Sequence, residues 1–295
     1  MSPKNQANQN LFCYKSIVTS PINCDIILSK FYKSQHERVI QMLAVMSFNI
    51  RNDCDSGTEA WKLRIENLVP LVKDAAPDLI GFQEVLHNQY LDLIERFPEY
   101  DYAGVGRDDG VNEGERSTIF YKKDRFELLG AGNFWLSETP DAPSFGWDAV
   151  CIRICTYTKL YDKETEKAFV FYNVHFDHIG KVAMLESAKQ ICATMLASDV
   201  PAFITGDFNF EETAEPYSIM TQSGLSDAKY AAEATMSHGT FHGYSPVDIS
   251  EESPIDYLFF ADGKFEINSY EVVINGIEGK YTSDHYPIMV KMMQL

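Results

Sequence analysis

Short apolar runs alternate with amphipathic stretches through most of the chain. Residues 43–48 and 77–82 are predicted as buried strands, because each is a brief apolar run that ends in polar residues. Between them, the apolar residues from Trp61 to Leu71 recur at helical spacing. A second helix is expected over residues 90–97. This order of strand, helix, strand and helix predicts an α/β sheet rather than a sandwich built of strands alone.

The ends of the first helix are predicted from local signals. Ser56 and Glu59 have the spacing of a capping box, which would open the helix. Pro70 lacks a backbone N–H, so it should kink or shorten the helix.

The later part of the chain is predicted to continue with strands and one long helix. Residues 117–121 and 126–129 are expected to be antiparallel neighbours, and residues 150–160 and 167–174 to form a hairpin. Val182, Leu185, Ala188, Ile191 and Met195 define the apolar stripe of a helix over residues 181–197. Four further strands are expected at residues 201–205, 255–260, 267–274 and 288–292.

The strand at residues 201–205 runs into Gly206, Asp207 and Asn209. We expect Gly206 to release the backbone into a turn that presents Asp207 and Asn209 at the strand's end. The simpler interpretation is a turn without function, since Gly, Asp and Asn are all common in turns.

Other predicted strands also end in residues capable of metal or acid/base chemistry. These strand-end residues are Asn49, Glu84, His175, Asp207 with Asn209, Asp256, and Asp284 with His285. Carboxylate and amide oxygens favour Mg²⁺ over zinc. Taken singly, each has another interpretation: Glu84 could cap the next helix, His175 could be a core histidine, and Asp284 could cap a turn.

Composition narrows the class of protein. A formal charge of −18 opposes sequence-independent binding of long nucleic acid. Six scattered cysteines without a C-x-x-C pair indicate a reducing compartment, and no apolar run is long enough to span a bilayer.

Residues 1–41 carry five basic and two acidic residues, so we expect an N-terminal extension, either a tail or a targeting segment, before a single domain over residues 42–295.

Six motifs in order resemble the endonuclease/exonuclease/phosphatase superfamily. They are Phe48-Asn49, Gln83-Glu84, Asn173-Val174-His175, Gly206-Asp207-Phe208-Asn209, Ile255-Asp256-Tyr257 and Ser283-Asp284-His285-Tyr286-Pro287. The chain resembles most the carbon catabolite repressor and nocturnin-type branch and its bacterial relatives. The resemblance implies a four-layer α/β sandwich, with two mostly antiparallel sheets face to face and helices outside. It also implies phosphoester hydrolysis that depends on Mg²⁺, with Mn²⁺ as a substitute.

The resemblance also implies roles for individual residues. Glu84 and Asp284 would hold the metal ion, while Asp207 would deprotonate the attacking water and Asn209 would fix its position. His285, oriented by Asp256, would bind the phosphate, and His175 with Asn49 would complete the pocket. Glu115 is a candidate partner for His175.

The substrate is predicted from loops and charge. Loop residues that could flank the site are Arg51, Arg107, Trp147, His178 and His242. The acidic composition favours a small soluble phosphoester, a sugar phosphate or a nucleotide. The alternatives are a 3′–5′ exonuclease or deadenylase-like enzyme on short RNA ends and, more remotely, a scaffold without catalytic activity. We expect a cytoplasmic protein with no membrane association and no obligate protein partner.

Overall fold

The computed structural model describes residues 42–245, 248–274 and 281–295, so the predicted extension at residues 1–41 lies outside the described residues. The strands are β1 (Leu43–Asn49), β2 (Leu79–Val85), β3 (Tyr100–Ala103), β4 (Arg116–Lys122), β5 (Phe126–Trp135), β6 (Ile154–Asp162), β7 (Lys167–His175), β8 (Ala202–Asp207), β9 (Leu225–Asp227), β10 (Ala234–Met236), β11 (Asp256–Ala261), β12 (Phe265–Val272) and β13 (Ile288–Gln294). The helices are α1 (Trp61–Ala75), α2 (His87–Arg96), α3 (Lys181–Leu196), α4 (Glu215–Gln222) and α5 (Ala228–Ala231).

The described strands form two mixed sheets. The first has the order β10-β12-β13-β1-β2-β4-β3, and the second has the order β5-β6-β7-β8-β11-β9. Within these sheets β1 pairs with β2, β7 with β8, and β10 with β12 in parallel, while the other described pairs are antiparallel. The expectation of two mostly antiparallel sheets is therefore confirmed.

Three apolar clusters separate four layers. The central cluster joins the inner faces of the two sheets, with Val45 of β1 and Phe171 of β7 among its members. A second cluster packs α1 and α2 against the outer face of the first sheet, and a third packs α3 and α4 against the outer face of the second. The order helix, sheet, sheet, helix confirms the four-layer sandwich that the resemblance implied. No helix in the described ranges is both long and apolar enough to cross a bilayer.

The inner faces of the sheets change from apolar to polar toward one end. In β7, Phe169 and Phe171 belong to the central core, and Asn173 and His175 occupy the next alternate positions. In β8, Phe203 is followed in the same way by Thr205 and Asp207. Because alternate strand residues share a face, the hydrophobic pattern of each strand also aims its polar end into the space between the sheets.

The sheets approach closely where this change occurs. A Cβ on Gly81 would lie 2.2 Å from the Oγ1 of Thr205 and 2.5 Å from the Oδ1 of Asn173. The Asn173 side chain crosses the gap, donating to the carbonyl oxygens of Phe82 (2.8 Å) and Thr118 (3.0 Å) in the first sheet. Its Oδ1 accepts from Thr205 (3.0 Å), so the buried amide is satisfied from both sheets.

Two predicted packing relations are wrong. β4 and β5 are not neighbours: β4 pairs with β2 and β3 in the first sheet, while β5 pairs with β6 in the second. The short connection between them carries the chain from one sheet to the other. The predicted apolar stripe of α3 is also partly wrong. Val182 was expected on this stripe but is 49% exposed, and the buried positions of the helix include Ala183 and Ser187.

The predicted start of the first helix is also wrong. Ser56 makes no side-chain capping bond and precedes only a 3₁₀ turn at Gly57–Glu59, while α1 begins at Trp61. Pro70 lies inside α1, which continues to Ala75, so it does not shorten the helix at that point. The hairpin of β6 and β7 is confirmed, with Asp162 opposite Lys167.

We expect Gly81→Ala to lower the free energy of unfolding by about 1–3 kcal/mol, because the added methyl group has no room between the sheets. Urea denaturation measures this change. Gly130→Ala is the matched control in another strand, where a Cβ meets nothing within 4 Å, and it should leave stability unchanged or slightly higher. Equal stability of the two variants would contradict the close approach.

Candidate functional site

The polar strand ends meet in one cluster at one end of the two sheets. Asn49, His175, Asp207, Asp256, Asp284 and His285 are each at most 8% exposed. Glu84 lies beside them with its carboxylate bonded to Asn49. The structure thus brings together residues separated by more than 200 positions in the chain.

Asp207 is at the centre of the cluster. Its Oδ2 accepts a hydrogen bond from the Nδ2 of Asn49 at 2.9 Å. The same oxygen lies 3.4 Å from the Nε2 of His175 and 3.7 Å from the Nε2 of His285. Burial, together with the nearby charge of Asp256, raises the pKa of Asp207 to about 7. A carboxylate with this pKa is a stronger base than an ordinary aspartate.

The two histidines of the cluster differ in their charge. The Nδ1 of His285 lies 2.9 Å from the Oδ2 of Asp256. Burial of the His285 ring opposes its protonation, but Asp256 and Asp207 outweigh this effect and raise its pKa to about 10. For His175, burial and the charges of Arg153 and Arg107 hold the pKa well below its usual range. His285 is therefore a cation and His175 a neutral ring.

Glu115 does not make a hydrogen bond with His175. Its Oε2 lies 4.0 Å from the Nδ1 of His175, and Glu115 is instead bonded to Arg107 and to the Nδ2 of Asn52 (2.9 Å). The Nδ1 of His175 is buried and has no hydrogen-bond partner among the described residues. Glu115 therefore belongs to the same cleft, but its present contacts orient Arg107.

The turn after Asp207 is made by Asn209 rather than by Gly206. β8 continues through Gly206, where a Cβ would lie 2.5 Å from the carbonyl oxygen of Val174, so the glycine is required by close packing. Asn209 has a φ of 54°, and its backbone N–H donates to the Oδ1 of Asp207 at 3.0 Å. Its Nδ2 donates to the carbonyl oxygen of Phe176 at 3.0 Å. Asn209 thus fixes the turn that orients Asp207.

A β-bulge turns Glu84 into the cluster. The pairing of β2 with β4 shifts register between Phe82 and Val85, and Glu84 has a φ of 61°. Its two oxygens accept from the Nδ2 of Asn49 (3.1 Å) and the backbone N–H of Asn52 (3.0 Å). Glu84 therefore does not cap α2, because the backbone N–H of its N-cap residue, Leu86, donates to the side chain of Gln89.

Glu84 and Asp284 face the same cation, Arg51. The Arg51 side chain lies 4.0 Å from the Oε2 of Glu84 and 3.8 Å from the Oδ2 of Asp284. Arg51 is itself paired with Asp55 at 3.0 Å. Ligand atoms of Glu84, His175 and Asp207 lie within 4.8 Å of one another, and carboxylate oxygens of this kind suit a hard divalent cation such as Mg²⁺.

The cluster opens into a cleft of about 350 Å³. Of the predicted substrate-binding residues, Arg51, Arg107, Glu115 and His178 line this cleft. Trp147 does not: it is half-buried, with its backbone N–H bonded to Glu138 at 3.1 Å. The ring of His242 packs between Tyr281 and Tyr286, with centroids 4.5 and 4.4 Å away, so it is also outside the lining.

Sequence reasoning missed several residues of the cleft. Arg153, only 4% exposed, forms part of its wall, together with Cys151 and Phe241. Sequence reasoning also missed Asn52, whose backbone N–H donates to Glu84. An arginine next to an apolar strand carries no functional signal, because only its neighbours in the fold place it at the site.

The chain belongs to the Endonuclease/Exonuclease/phosphatase family, whose pattern matches residues 46–285. Members of this family hydrolyse phosphoesters, and the matched range includes Asn49, Glu84, His175, Asp207 and His285. The motif resemblance and the fold therefore agree.

Solved structures of similar proteins cover the described domain. A family protein from Bacteroides thetaiotaomicron is 38% identical, with a TM-score of 0.81, and the match covers 86% of this chain and 98% of that chain. A mannosyl-6-phosphatase from the same species is 37% identical with a TM-score of 0.79, covering 85% of this chain and 99% of that chain.

Two curated relatives are matched over shorter lengths. An uncharacterised protein of Acanthamoeba polyphaga mimivirus is 30% identical over 163 residues, 52% of this chain and 60% of the relative. Carbon catabolite repressor protein 4 homolog 3 of Arabidopsis thaliana is 22% identical over 208 residues, 64% of this chain and 44% of the relative. The chain thus spans less than two thirds of either relative.

We expect Asp207→Asn to stabilise the metal-free protein at pH 8. The folded state raises the pKa of Asp207 above its unfolded value, so the charged carboxylate destabilises folding at high pH and the protonated form does not. The melting temperature in EDTA should be higher for the variant at pH 8, and the difference should shrink as the pH falls from 7 to 4. A rise in melting temperature that does not depend on pH would contradict the electrostatic origin of the stabilisation.

We expect Glu84→Gln to weaken Mn²⁺ binding by more than about 10-fold, because it removes an anionic oxygen ligand. Electron paramagnetic resonance of free Mn²⁺ measures this affinity directly. Glu115→Gln is the matched control, since Glu115 lines the same cleft but is bonded to Arg107. Equal losses in the two variants would argue against a metal site at Glu84.

Proposed function

We propose that this protein is a Mg²⁺-dependent hydrolase of small soluble phosphoesters, with a sugar phosphate as the preferred substrate. One observation carries the proposal: a buried carboxylate oxygen of Asp207 lies within 4 Å of Asn49, His175 and His285. This places a base, an amide donor, a neutral imidazole and an imidazolium around one point.

Asp207 acts as the general base in this proposal. With a pKa near 7 it accepts a proton from a water molecule, whose oxygen attacks phosphorus. Asn49 donates to the same carboxylate and keeps it in place. Asn209 supports the other carboxylate oxygen through its backbone N–H. The attacking water is thus activated by a group held from both sides.

His285 and His175 bind the phosphoryl group. His285, kept protonated by Asp256, supplies a fixed positive charge to the phosphoryl oxygens as negative charge builds up. His175 contributes a neutral N–H. The leaving oxygen departs as an alkoxide with the electron pair of the broken P–O bond and takes a proton from water, and the proton that Asp207 removed from the attacking water returns to solvent. Glu84 and Asp284 would hold the Mg²⁺ ion, or Mn²⁺ in its place, which neutralises phosphate charge when bound.

The cleft and the relatives support a small substrate. A volume of about 350 Å³ is near the lower end of the range for small-molecule sites. The match to the similar mannosyl-6-phosphatase covers nearly the whole length of that protein. The net charge of −18 opposes attraction of a long polyanion, and the arginines that line the cleft, Arg51, Arg107 and Arg153, each lie next to a carboxylate.

A 3′–5′ exonuclease or deadenylase-like activity on RNA ends is the second candidate. The observation that favours it is the partial match to the carbon catabolite repressor homolog. A scaffold without activity is disfavoured, since Asp207, Asn209 and His285 are all present and line the cleft.

A cytoplasmic location and the lack of an obligate protein partner stay predictions.

The test is ³¹P NMR of the protein with Mg²⁺ and a mixture of hexose 6-phosphates, nucleoside monophosphates and a short oligoadenylate. We expect inorganic phosphate from a hexose phosphate, and a loss of at least about 1,000-fold in Asp207→Asn, because the base is removed. Asp227→Asn is the control, a buried aspartate whose partners are Tyr217 and the Lys229 backbone.

Each outcome separates the candidates. Release of a nucleoside monophosphate from the oligomer supports the RNA-end activity in place of the phosphatase. Full activity in Asp207→Asn would remove the central assignment, and no product from any substrate would favour the scaffold.

A further inference from the structure

The turn after β7 forms a wall of the cleft that the proposed chemistry leaves unused. Asp177 organises this wall. Its Oδ2 accepts from the backbone N–H groups of Val150 (3.0 Å) and Cys151 (3.1 Å), and its Oδ1 accepts from those of Ile179 (3.0 Å) and Gly180 (2.7 Å). The carboxylate therefore joins the turn that carries His178 to the separate loop at residues 150–151.

Arg153 lies behind the exposed ring of His178. Its Nη2 is 3.2 Å from the Nδ1 of His178, and its Nε is 3.8 Å from the Oδ2 of Asp177. A guanidinium only donates hydrogen bonds, so the Nδ1 of His178 must be the acceptor. The neutral ring then carries its proton on Nε2, which makes His178 a donor toward the cleft that it lines.

A metal ion does not suit this wall. Ligand atoms of Cys151, Asp177 and His178 do lie within 4.8 Å of one another. However, each oxygen of Asp177 already accepts two backbone hydrogen bonds, and the Nδ1 of His178 faces a cation. These residues therefore form a preorganised hydrogen-bonding surface.

The wall carries little net charge. Arg153 is next to Asp177, and Arg107 is bonded to Glu115. A second phosphate would meet no unbalanced cation there, whereas a neutral hydroxyl can accept a hydrogen bond from His178. The chemistry of the wall matches a polyhydroxylated group.

We propose that His178 is a specificity-determining residue that donates from Nε2 to a hydroxyl of the sugar, and that Arg153 is the positioning residue that sets its tautomer. The inference rests on the proposed phosphatase function and deepens it. It places the phosphoryl group at Asp207 and His285, and the neutral, hydroxyl-bearing leaving group against the wall after β7. It also assigns hexose monophosphates, rather than bisphosphates, as the substrate class.

Two substrates that share a six-membered ring and a phosphate group isolate the hydroxyl contact. Hexose 6-phosphate is compared with cyclohexylmethyl phosphate, which keeps the ring and the phosphate but lacks the hydroxyl groups. We expect His178→Phe to raise KM for hexose 6-phosphate about 3- to 10-fold, the usual effect of losing one neutral hydrogen bond. kcat, and KM for the cyclohexyl ester, should change less than about 2-fold. His178→Gln, which keeps a donor at a similar reach, should restore most of the preference.

The positioning role of Arg153 has its own readout. Long-range ¹H–¹⁵N correlation spectra of the His178 ring should show the Nε2–H tautomer in the full chain. Arg153→Met should lose this single tautomer together with the preference for the sugar, and Arg153→Lys, which keeps a donor, should recover both. A wild-type ring protonated on Nδ1 alone would overturn the proposal.

The outcomes separate this inference from the function on which it rests. If the wild type hydrolyses hexose 6-phosphate but His178→Phe changes KM equally for both substrates, the phosphatase function stands and the role of His178 is wrong. If the wild type hydrolyses the cyclohexyl ester but not hexose 6-phosphate, the assignment of the sugar is wrong. Failure to release phosphate from either ester overturns both proposals.

Discussion

The close contact between the two sheets at Gly81, Asn173 and Thr205 is the constraint on which the site depends. Without a side chain at Gly81, the inner faces approach until one amide bridges both sheets. The polar strand ends lie immediately beyond this contact. Asn49 from one sheet can therefore donate to Asp207 from the other at 2.9 Å. The same packing buries the carboxylate and raises its pKa.

The electrostatics of the cluster follow from this burial. Asp207, Asp256, Glu84 and Asp284 are concentrated where water is largely excluded, so their mutual repulsion must be offset. His285 offsets part of it as a cation, and Arg51 approaches Glu84 and Asp284. A divalent cation would complete the balance at those two carboxylates. Bringing these strand ends together thus creates groups of side chains that could bind a metal ion.

The wall after β7 shows a different way of making a functional surface. Each carboxylate oxygen of Asp177 accepts two hydrogen bonds from the backbone of two loops. These bonds fix the loops so that His178 and Arg153 lie in contact. The cations of this wall are matched by carboxylates, in contrast to the metal side of the cleft. One cleft therefore has an anionic side suited to a metal-bound phosphate and a nearly neutral side suited to hydroxyl groups.

The sequence by itself determined most of the long strands, the three longest helices apart from the start of α1, and the residues at the strand ends, because hydrophobic periodicity is local information. Asp207 and His175 could each be predicted at a strand end for this reason. The tertiary structure alone decided the partners: β4 and β5 lie in different sheets, the bulge turns Glu84 inward, and Arg153 reaches His178. These depend on contacts between distant parts of the chain, where close packing rather than local pattern selects the neighbour. His178 could therefore be predicted from the sequence as a loop residue near the site, whereas its contact with Arg153 depended on the tertiary structure.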